Sequence, residues 1–205
     1  MRILFTGITG RLGSAFAELY HNKHEIVGVA RHKTDVPVKH FIESDIRCHE
    51  AEIVKEAMGK LGGLDVIVNN AVSYTPLNLL SIERGHLQDT ISINAIAPFL
   101  INQSAVEFHM KDHGGRLIHI GSFAGKSTHP KSFMYSASKA ALNMLMLYER
   151  QEYGGFGVTS NVLCPTSFPE LMPTAKVAEQ LEKLINSDHQ GKIVCLASEH
   201  RVWME

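Results

Sequence analysis

The sequence predicts an α/β fold in which helices cover both faces of a parallel β-sheet. Short apolar runs rich in β-branched residues alternate with amphipathic segments along the chain. Glycine pairs at 62–63, 114–115 and 154–155 fall where helices should end. Strands that alternate with helices form βαβ units, whose strands are parallel. Right-handed crossovers then favour a doubly wound, Rossmann-type sheet.

Seven strands and five helices are predicted. The strands are expected at residues 2–6, 25–30, 39–44, 65–71, 116–122, 157–163 and 192–197, and the third has the lowest apolar content. The helices are expected at residues 11–21, 48–60, 80–112, 133–153 and 174–187. No repeat, low-complexity tract or linker interrupts this order, so residues 1–205 are expected to form a single domain.

Composition excludes several functional classes. A net charge of -1 with 20% charged residues argues against a partner bound through nucleic-acid phosphates. No run of eighteen apolar residues appears, so a membrane span is not expected. Cys48, Cys164 and Cys195 are widely spaced, which fits reduced, buried thiols and predicts no metal site. The start "MRILFTG" lacks the features of a signal peptide, and we expect a cytoplasmic protein.

A glycine-rich turn follows the first predicted strand. Gly7, Gly10 and Gly13 form the pattern G-x-x-G-x-x-G as the first helix begins. Such glycines permit a tight turn and a close backbone approach to a pyrophosphate, and the helix N-terminus offers free N–H groups. The turn therefore predicts a dinucleotide site. Its candidate binding residues are Gly7, Thr9, Gly10, Arg11, Leu12 and Gly13.

The end of the second strand bears on the choice of cofactor. An acidic residue there would bind the ribose 2′-hydroxyl of NAD. The strand instead ends at Ala30 and is followed by Arg31 and Lys33, which suit a 2′-phosphate. The sequence thus favours NADP(H), with NAD(H) as a second possibility and a solvated basic turn as the alternative interpretation.

The segment "YSASK" suggests proton chemistry. Tyr135 and Lys139 are four residues apart, which places a phenol and an ammonium on one helix face, one turn apart. Such pairs also arise by chance on many helices.

Over nearly its whole length, the chain resembles the short-chain dehydrogenase/reductase family. The matching motifs occur in the family's order: "TGITGRLG", "SDI" at 44–46, "NNAV" at 69–72, "SINAIAPF" at 92–99, "HIGS" at 119–122, "YSASK", and "LCPT" at 163–166. The resemblance implies a catalytic tetrad of Asn94, Ser122, Tyr135 and Lys139. It further implies adenine contacts from Asp45 and Ile46, backbone at Asn69 and Ala71 that flanks the cofactor ribose, and a place beside the nicotinamide for Pro165 and Thr166.

The implied chemistry is hydride transfer between a nicotinamide cofactor and a carbonyl or alcohol. Tyr135 would be the general acid or base. A free phenol has a pKa of about 10, and lowering it to ~7 requires ~4 kcal/mol, of which Lys139 could supply part through its charge. In the family, the same lysine also binds the nicotinamide ribose. Ser122 would orient the substrate oxygen, and Asn94 would bind a water in a proton relay behind the lysine.

Departures from the family's pattern leave three hypotheses. The glycine spacing is that of the extended branch, and prolines at 165, 169 and 173 leave a much reduced substrate lid near 165–175. The substrate site should be open, shaped by a partner subunit, or built for a flat or small carbonyl. The leading hypothesis is an NADP(H)-dependent oxidoreductase acting on a small-molecule carbonyl or alcohol. The others are an extended-type nucleotide-sugar epimerase, dehydratase or reductase, and a non-catalytic dinucleotide-binding redox sensor.

Oligomerisation is also expected. The predicted helices at 80–112 and 133–153 carry broad apolar faces, and relatives often pair these helices across a two-fold axis. A homodimer or homotetramer is therefore predicted, although the same faces could belong to the core.

Overall fold

The structure is a computed structural model that describes residues 1–196 and the backbone of residues 202–204. Eight strands form one sheet in the order β3-β2-β1-β4-β5-β6-β7-β8. The strands are β1 (Arg2–Thr6), β2 (Glu25–Ala30), β3 (His40–Glu43), β4 (Val66–Asn69), β5 (Gly115–Ile120), β6 (Val158–Pro165), β7 (Ile193–Leu196) and β8 (Val202–Met204). The first seven are parallel, as predicted. The short eighth strand, antiparallel to β7, was not predicted.

Within the described residues, seven α-helices connect and cover these strands. They are α1 (Arg11–Tyr20), α2 (Glu50–Leu61), α3 (Arg84–Ile91), α4 (Ala97–Ala105), α5 (Lys111–His113), α6 (Phe133–Tyr153) and α7 (Thr174–Ile185). Short 3₁₀ turns lie at Leu79–Ser81, Phe123–Gly125 and Gly154–Phe156.

The predicted helix at 80–112 differs from the observed structure. Helical structure runs from Arg84 to His113, but π-helical segments at Ser92–Ile96 and Val106–Met110 separate α3, α4 and α5. The expected start at residue 80 is wrong, because Glu83 occupies the N-cap position and its backbone N–H donates to Nδ1 of His86 at 3.2 Å.

The core consists mainly of two apolar layers, one on each face of the sheet. Ile3 and Phe5 of β1 belong to the layer under α1 and α7, whereas Leu4 belongs to the layer under α2 and α4. This alternation follows from the two-residue period of a strand. Because the seven parallel strands share one direction, their carboxyl ends meet at one edge of the sheet, where the predicted site residues follow the strands.

Two of the three cysteines are buried, as expected. Cys164 and Cys195 are neighbours across β6 and β7, but Cys48 is exposed in the turn after β3 and departs from the expectation. Among the helices of the described residues, none combines the length and apolar character needed to cross a membrane.

Candidate active site

The glycine turn after β1 packs tightly against the end of β4. Gly7 has a φ of +65°, and a Cβ on it would lie 2.8 Å from the Cα of Ala71. A Cβ on Gly13 would lie 2.5 Å from the carbonyl oxygen of Ile8, so only glycine permits this approach of α1 to the strand. Gly10 is the N-cap of α1 and provides no side chain to bind the first-turn N–H groups. These groups and the helix dipole suit a pyrophosphate.

A cleft of about 650 Å³ lies beside this turn. It follows the carboxyl ends of β1 and β2 and has the size of a cofactor site. The residues predicted to bind the cofactor that line it are Gly7, Thr9, Gly10, Arg11, Leu12, Arg31, Asp45, Ile46 and Ala71. An uncapped helix N-terminus beside a cleft of this size fits a dinucleotide.

Several lining residues were not predicted. His32 and Thr34 lie beside Arg31 in the turn after β2, and their place next to a predicted cation could have identified them. Ile93 and Phe168 come from distant segments, and no local pattern points to them.

Arg31 and Asp45 have different electrostatic surroundings at the cleft. Arg31 is exposed and forms no ion pair with any residue of the described ranges. Asp45 is bound by Arg47 at 2.6 Å, and Arg47 also reaches Asp89 at 2.8 Å. The Arg47 guanidinium holds the pKa of Asp45 below its ordinary value. The carboxylate of Asp45 is therefore paired with Arg47, which it shares with Asp89, whereas the side chain of Arg31 lines the cleft and acts on Asp45 without forming an ion pair.

The segment after β6 returns to the glycine turn. Arg11 donates to the carbonyl oxygen of Phe168 at 3.3 Å and lies 3.5 Å from a carboxylate oxygen of Glu170. Pro165, the last residue of β6, is buried, and the N–H of Thr166 donates to the carbonyl oxygen of Leu196 at 3.0 Å. Residues 166–173 thus extend from the end of β6 to the opening of the cleft.

Helix α6 positions Tyr135 and Lys139. The Lys139 ammonium is buried, donates to the carbonyl oxygen of Ile120 at 2.7 Å, and lies 5.6 Å from the centroid of the Tyr135 ring. Because burial disfavours the charged form, it lowers the pKa of Lys139 to about 8. The fold therefore places a readily neutralised ammonium beside a phenol.

Tyr135 is bound to Ser122 but does not have a lowered pKa. Burial raises the pKa of Tyr135 above its ordinary value, and the hydrogen bond between the two hydroxyls opposes this effect only in part. Desolvation therefore dominates the pKa of Tyr135, and the lowering that Lys139 could supply stays a prediction. Ser122 also accepts a hydrogen bond from the N–H of Ala124 at 3.1 Å, which fixes its orientation at the end of β5.

Asn94 connects three elements from the middle of the first π-helical segment. Its Oδ1 accepts from the N–H of Ser73 at 2.7 Å, and its Nδ2 donates to the carbonyl oxygen of Ser73 and to Oγ of Ser138, both at 2.9 Å. The side chain therefore joins the loop after β4 to α6. Both amide hydrogens are used within the protein, so a water held by this side chain would have to bind at Oδ1.

The Asn69 side chain belongs to a buried polar network. Its Nδ2 donates to Oδ1 of Asn102 at 2.9 Å, and Nδ2 of Asn102 donates to Oε1 of Glu149 at 2.7 Å. Oε2 of Glu149 lies 2.8 Å from Nε2 of His119 and accepts from Oγ of Ser160 at 2.6 Å. All five side chains are buried. We refer to these five residues as the Glu149 network.

The Glu149 network was not predicted. The signal was a glutamate on the face of α6 that otherwise carries Leu142 and Met146, at spacings of four and three residues. In the part of the chain that the structure describes, no group of three or more His, Cys, Asp or Glu side chains could hold a metal ion.

Comparisons with known proteins identify the family. Residues 2–180 match the model of the short chain dehydrogenase family. A protein of Thermotoga maritima named an uncharacterized oxidoreductase is 33% identical over 71% of this chain and 59% of its own length. A 2-dehydro-3-deoxy-L-rhamnonate dehydrogenase (NAD(+)) of a Sphingomonas species is 27% identical over 68% of this chain and 57% of its own length. The chain thus spans less than two thirds of the length of these two relatives.

The solved structures agree with this result. A short chain dehydrogenase from Mycobacterium smegmatis superposes with a TM-score of 0.87, at 20% identity, covering 98% of this chain and 93% of that one. An NADH-dependent reductase complexed with NAD gives a TM-score of 0.86, at 19% identity, covering 98% of this chain and 96% of that one. The family match and the shared fold lead to one conclusion: the chain belongs to the short chain dehydrogenase family.

Proposed function

We propose that this protein is an NADP(H)-dependent oxidoreductase that reduces a small-molecule carbonyl, or oxidises the corresponding alcohol, with Tyr135 as general acid or base. The observation that carries the proposal is the arrangement at α6. The phenol of Tyr135 is bound to Ser122, and the ammonium of Lys139 is held one turn away by the carbonyl oxygen of Ile120. A phenol paired with a hydroxyl and a cation suits proton transfer to an oxygen atom.

The cleft supports a dinucleotide cofactor. When bound, NADP(H) would supply or accept the hydride. The uncapped start of α1 would bind its pyrophosphate, and the exposed cation of Arg31 would bind its 2′-phosphate. Asp45 would not repel that phosphate strongly, because its charge is paired with Arg47. NAD(H) is the second candidate.

The protein's own residues would complete the reaction at the carbonyl group. Tyr135 donates its proton to the carbonyl oxygen as hydride reaches the carbon, so that one C–H and one O–H bond replace the C=O π bond. The raised pKa of Tyr135 keeps the phenol protonated at neutral pH before the reaction. Ser122 orients the carbonyl oxygen, and the charge of Lys139 favours the phenolate that remains.

Replacing the proposed acid tests the function directly. NADPH oxidation would be measured over a panel of ketones, quinones and pterins. We expect Tyr135→Phe to lower kcat/KM by roughly 100-fold or more, the typical contribution of a general acid, with the Kd for NADPH nearly unchanged. Tyr148→Phe, at an exposed tyrosine of the same helix, is the control and should keep normal turnover. Normal turnover by Tyr135→Phe would show that Tyr135 is not the acid.

A further inference from the structure

An exposed tyrosine lies against the proposed catalytic phenol. The ring of Tyr74 contacts the ring of Tyr135 edge-on, with centroids 5.1 Å apart and an interplanar angle of 66°. Tyr74 nevertheless remains 52% exposed. An aromatic side chain can bury a large apolar area, so an exposed one beside a reacting group leaves surface for a ligand.

The loop that carries Tyr74 is fixed although it has no regular secondary structure. We refer to residues 70–78, which follow β4, as loop 70–78. The buried amide of Asn94 binds both backbone groups of Ser73, and the N–H of Leu77 donates to the carbonyl oxygen of Lys131 at 3.1 Å. The hydroxyl of Tyr74 lies 3.3 Å from Oγ of Ser132, which is buried at the start of α6. The exposed ring is therefore held in place before any ligand arrives.

The two chain segments that carry these rings are uncharged, although Lys131 and Lys139 border the second of them. Residues 70–82 and 132–138 contain no Asp, Glu, Lys or Arg. Val72 of the same loop is 54% exposed and lines the cofactor cleft, so an apolar surface extends from the cleft toward Tyr74. Such a surface favours an apolar substituent over a charged one.

The reaction geometry brings the substrate to this surface. A carbonyl that receives a proton from Tyr135 must place its oxygen within hydrogen-bonding distance of that hydroxyl. Tyr74 packs on the same phenol ring, so its exposed ring is available to a substituent on the carbonyl carbon. An offset-stacked or edge-on pair of aromatic rings is worth ~0.5–1.5 kcal/mol beyond the burial of its area, and a saturated ring would not gain this contribution.

We propose that Tyr74 determines specificity by stacking on a planar ring conjugated with the substrate carbonyl, as in aryl ketones and quinones. This inference rests on the proposed function, because it requires the carbonyl to be reduced at Tyr135. The expected substrate is therefore a flat, uncharged, conjugated carbonyl compound.

The test compares two ketones with the same carbon skeleton, acetophenone and cyclohexyl methyl ketone, in the presence of NADPH. We expect the wild type to favour acetophenone in kcat/KM. Tyr74→Leu should lower kcat/KM for acetophenone by roughly tenfold, mainly through KM, and change that for the saturated ketone less than twofold. Tyr74→Phe keeps the ring and should retain the preference.

Phe156→Leu is the matched control. Phe156 is 47% exposed but lies just before β6, at the amino end of the sheet, away from the site, and this variant should keep the wild-type preference. Unchanged NADPH affinity and circular dichroism would show that the Tyr74 variants fold. If neither ketone is turned over, the Kd of each ketone is measured by titrating the protein–NADPH complex. The same preference of the wild type and the same loss in Tyr74→Leu are then expected in Kd.

The two proposals can fail separately. Equal use of both ketones by the wild type, or equal losses for both in Tyr74→Leu, would overturn the role of Tyr74 while Tyr135→Phe still abolishes turnover. Normal turnover by Tyr135→Phe would overturn the proposed function itself.

Discussion

Lys139 carries a charge that the fold almost completely removes from water. Its exposed fraction is 3%, and burial lowers its pKa from 10.5 to about 8. Because the folded state binds this proton more weakly than the unfolded chain does, the charged ammonium destabilises the fold at pH 7 by about 3 kcal/mol. The residue is therefore better explained by chemistry at Tyr135 than by stability.

This cost predicts a pH-dependent difference between the wild type and Lys139→Met. Below pH 8 the lysine is charged in both the folded and the unfolded state, and the full destabilisation of the fold is present. Between pH 8 and 10.5 the folded state loses the proton first, so this destabilisation disappears. The free energy of unfolding of the wild type relative to Lys139→Met should thus rise by about 3 kcal/mol across this range, measured by urea unfolding. A difference that stays constant with pH would contradict the lowered pKa.

The exposed charge of Arg31 leads us to expect a preference for NADPH over NADH. Arg31→Ala should raise the Kd for NADPH by roughly tenfold or more and leave the Kd for NADH within about twofold, since only NADPH carries the 2′-phosphate. Titration of cofactor fluorescence measures both constants. Lys33→Ala is the control, because the sequence also suggested Lys33 for the 2′-phosphate, but the structure does not place it in the lining of the cleft. Equal losses for the two cofactors would remove the 2′-phosphate assignment.

At the scale of elements, the first π-helical segment places Asn94. One residue corresponds to about 100° around an α-helix. The wider π-helical turn at Ser92–Ile96 therefore points its side chains in different directions from those they would have in a regular α-helix. In this position Asn94 reaches both Ser73 and Ser138. The Asn94 side chain that holds loop 70–78 through Ser73 also joins that loop to α6 through Ser138.

The Glu149 network links α4, α6, β4, β5 and β6, and predicts a large effect on stability. Glu149→Ala leaves the three partners of its carboxylate unsatisfied in the core and should lower the free energy of unfolding by about 3 kcal/mol or more, since each buried polar group without a partner costs ~1–3 kcal/mol. Urea unfolding measures this change. Glu152→Ala, on the exposed side of the same helix, should change it by less than about 0.5 kcal/mol. Similar values for the two variants would contradict the importance of the network.

At the scale of the whole molecule, local patterns predicted most of the sheet and its helices. Helix α6 was expected at 133–153 and is found at Phe133–Tyr153, because its apolar period and the following glycines are local signals. The alternation of strand-like apolar runs with amphipathic helical segments predicted the seven parallel strands. The π-helical segments and β8 were not predicted, since backbone hydrogen bonding and strand pairing decide them and neither leaves a distinct local pattern.

Candidate site residues could be predicted where they belong to a local motif. They could not be predicted where the site depends on contacts between residues distant in sequence. The glycine turn and the pair of Tyr135 and Lys139 have characteristic spacings. Asn69 was expected to contribute only its backbone, and its bond to Asn102 spans 33 positions in the sequence. The position of Tyr74 likewise depends on the contact between Asn94 and Ser73, which sequence spacing does not reveal.

Exposed apolar side chains predict self-association. Phe99 of α4 and Met144 and Leu147 of α6 are exposed, and exposed apolar side chains of this kind suit a symmetric interface. We expect a homodimer or homotetramer by light scattering at micromolar concentration. Leu147→Glu should shift the mass toward the monomer, whereas Leu19→Glu, at an exposed leucine of α1, should not. A monomeric wild type would contradict this prediction.

The junction of β1 and β4 at the centre of the sheet has an evolutionary consequence. The glycine turn, Arg31 and Asp45 follow strands on one side of this junction, while Ser122 and Tyr135 lie on the other. Because the residues proposed to distinguish NADP(H) from NAD(H) all lie on the first side, a lineage with this arrangement would be able to acquire a new substrate by mutations on the second side and keep its choice between the two cofactors. Loop 70–78, which begins directly after β4, would be among the first places where such divergence shows.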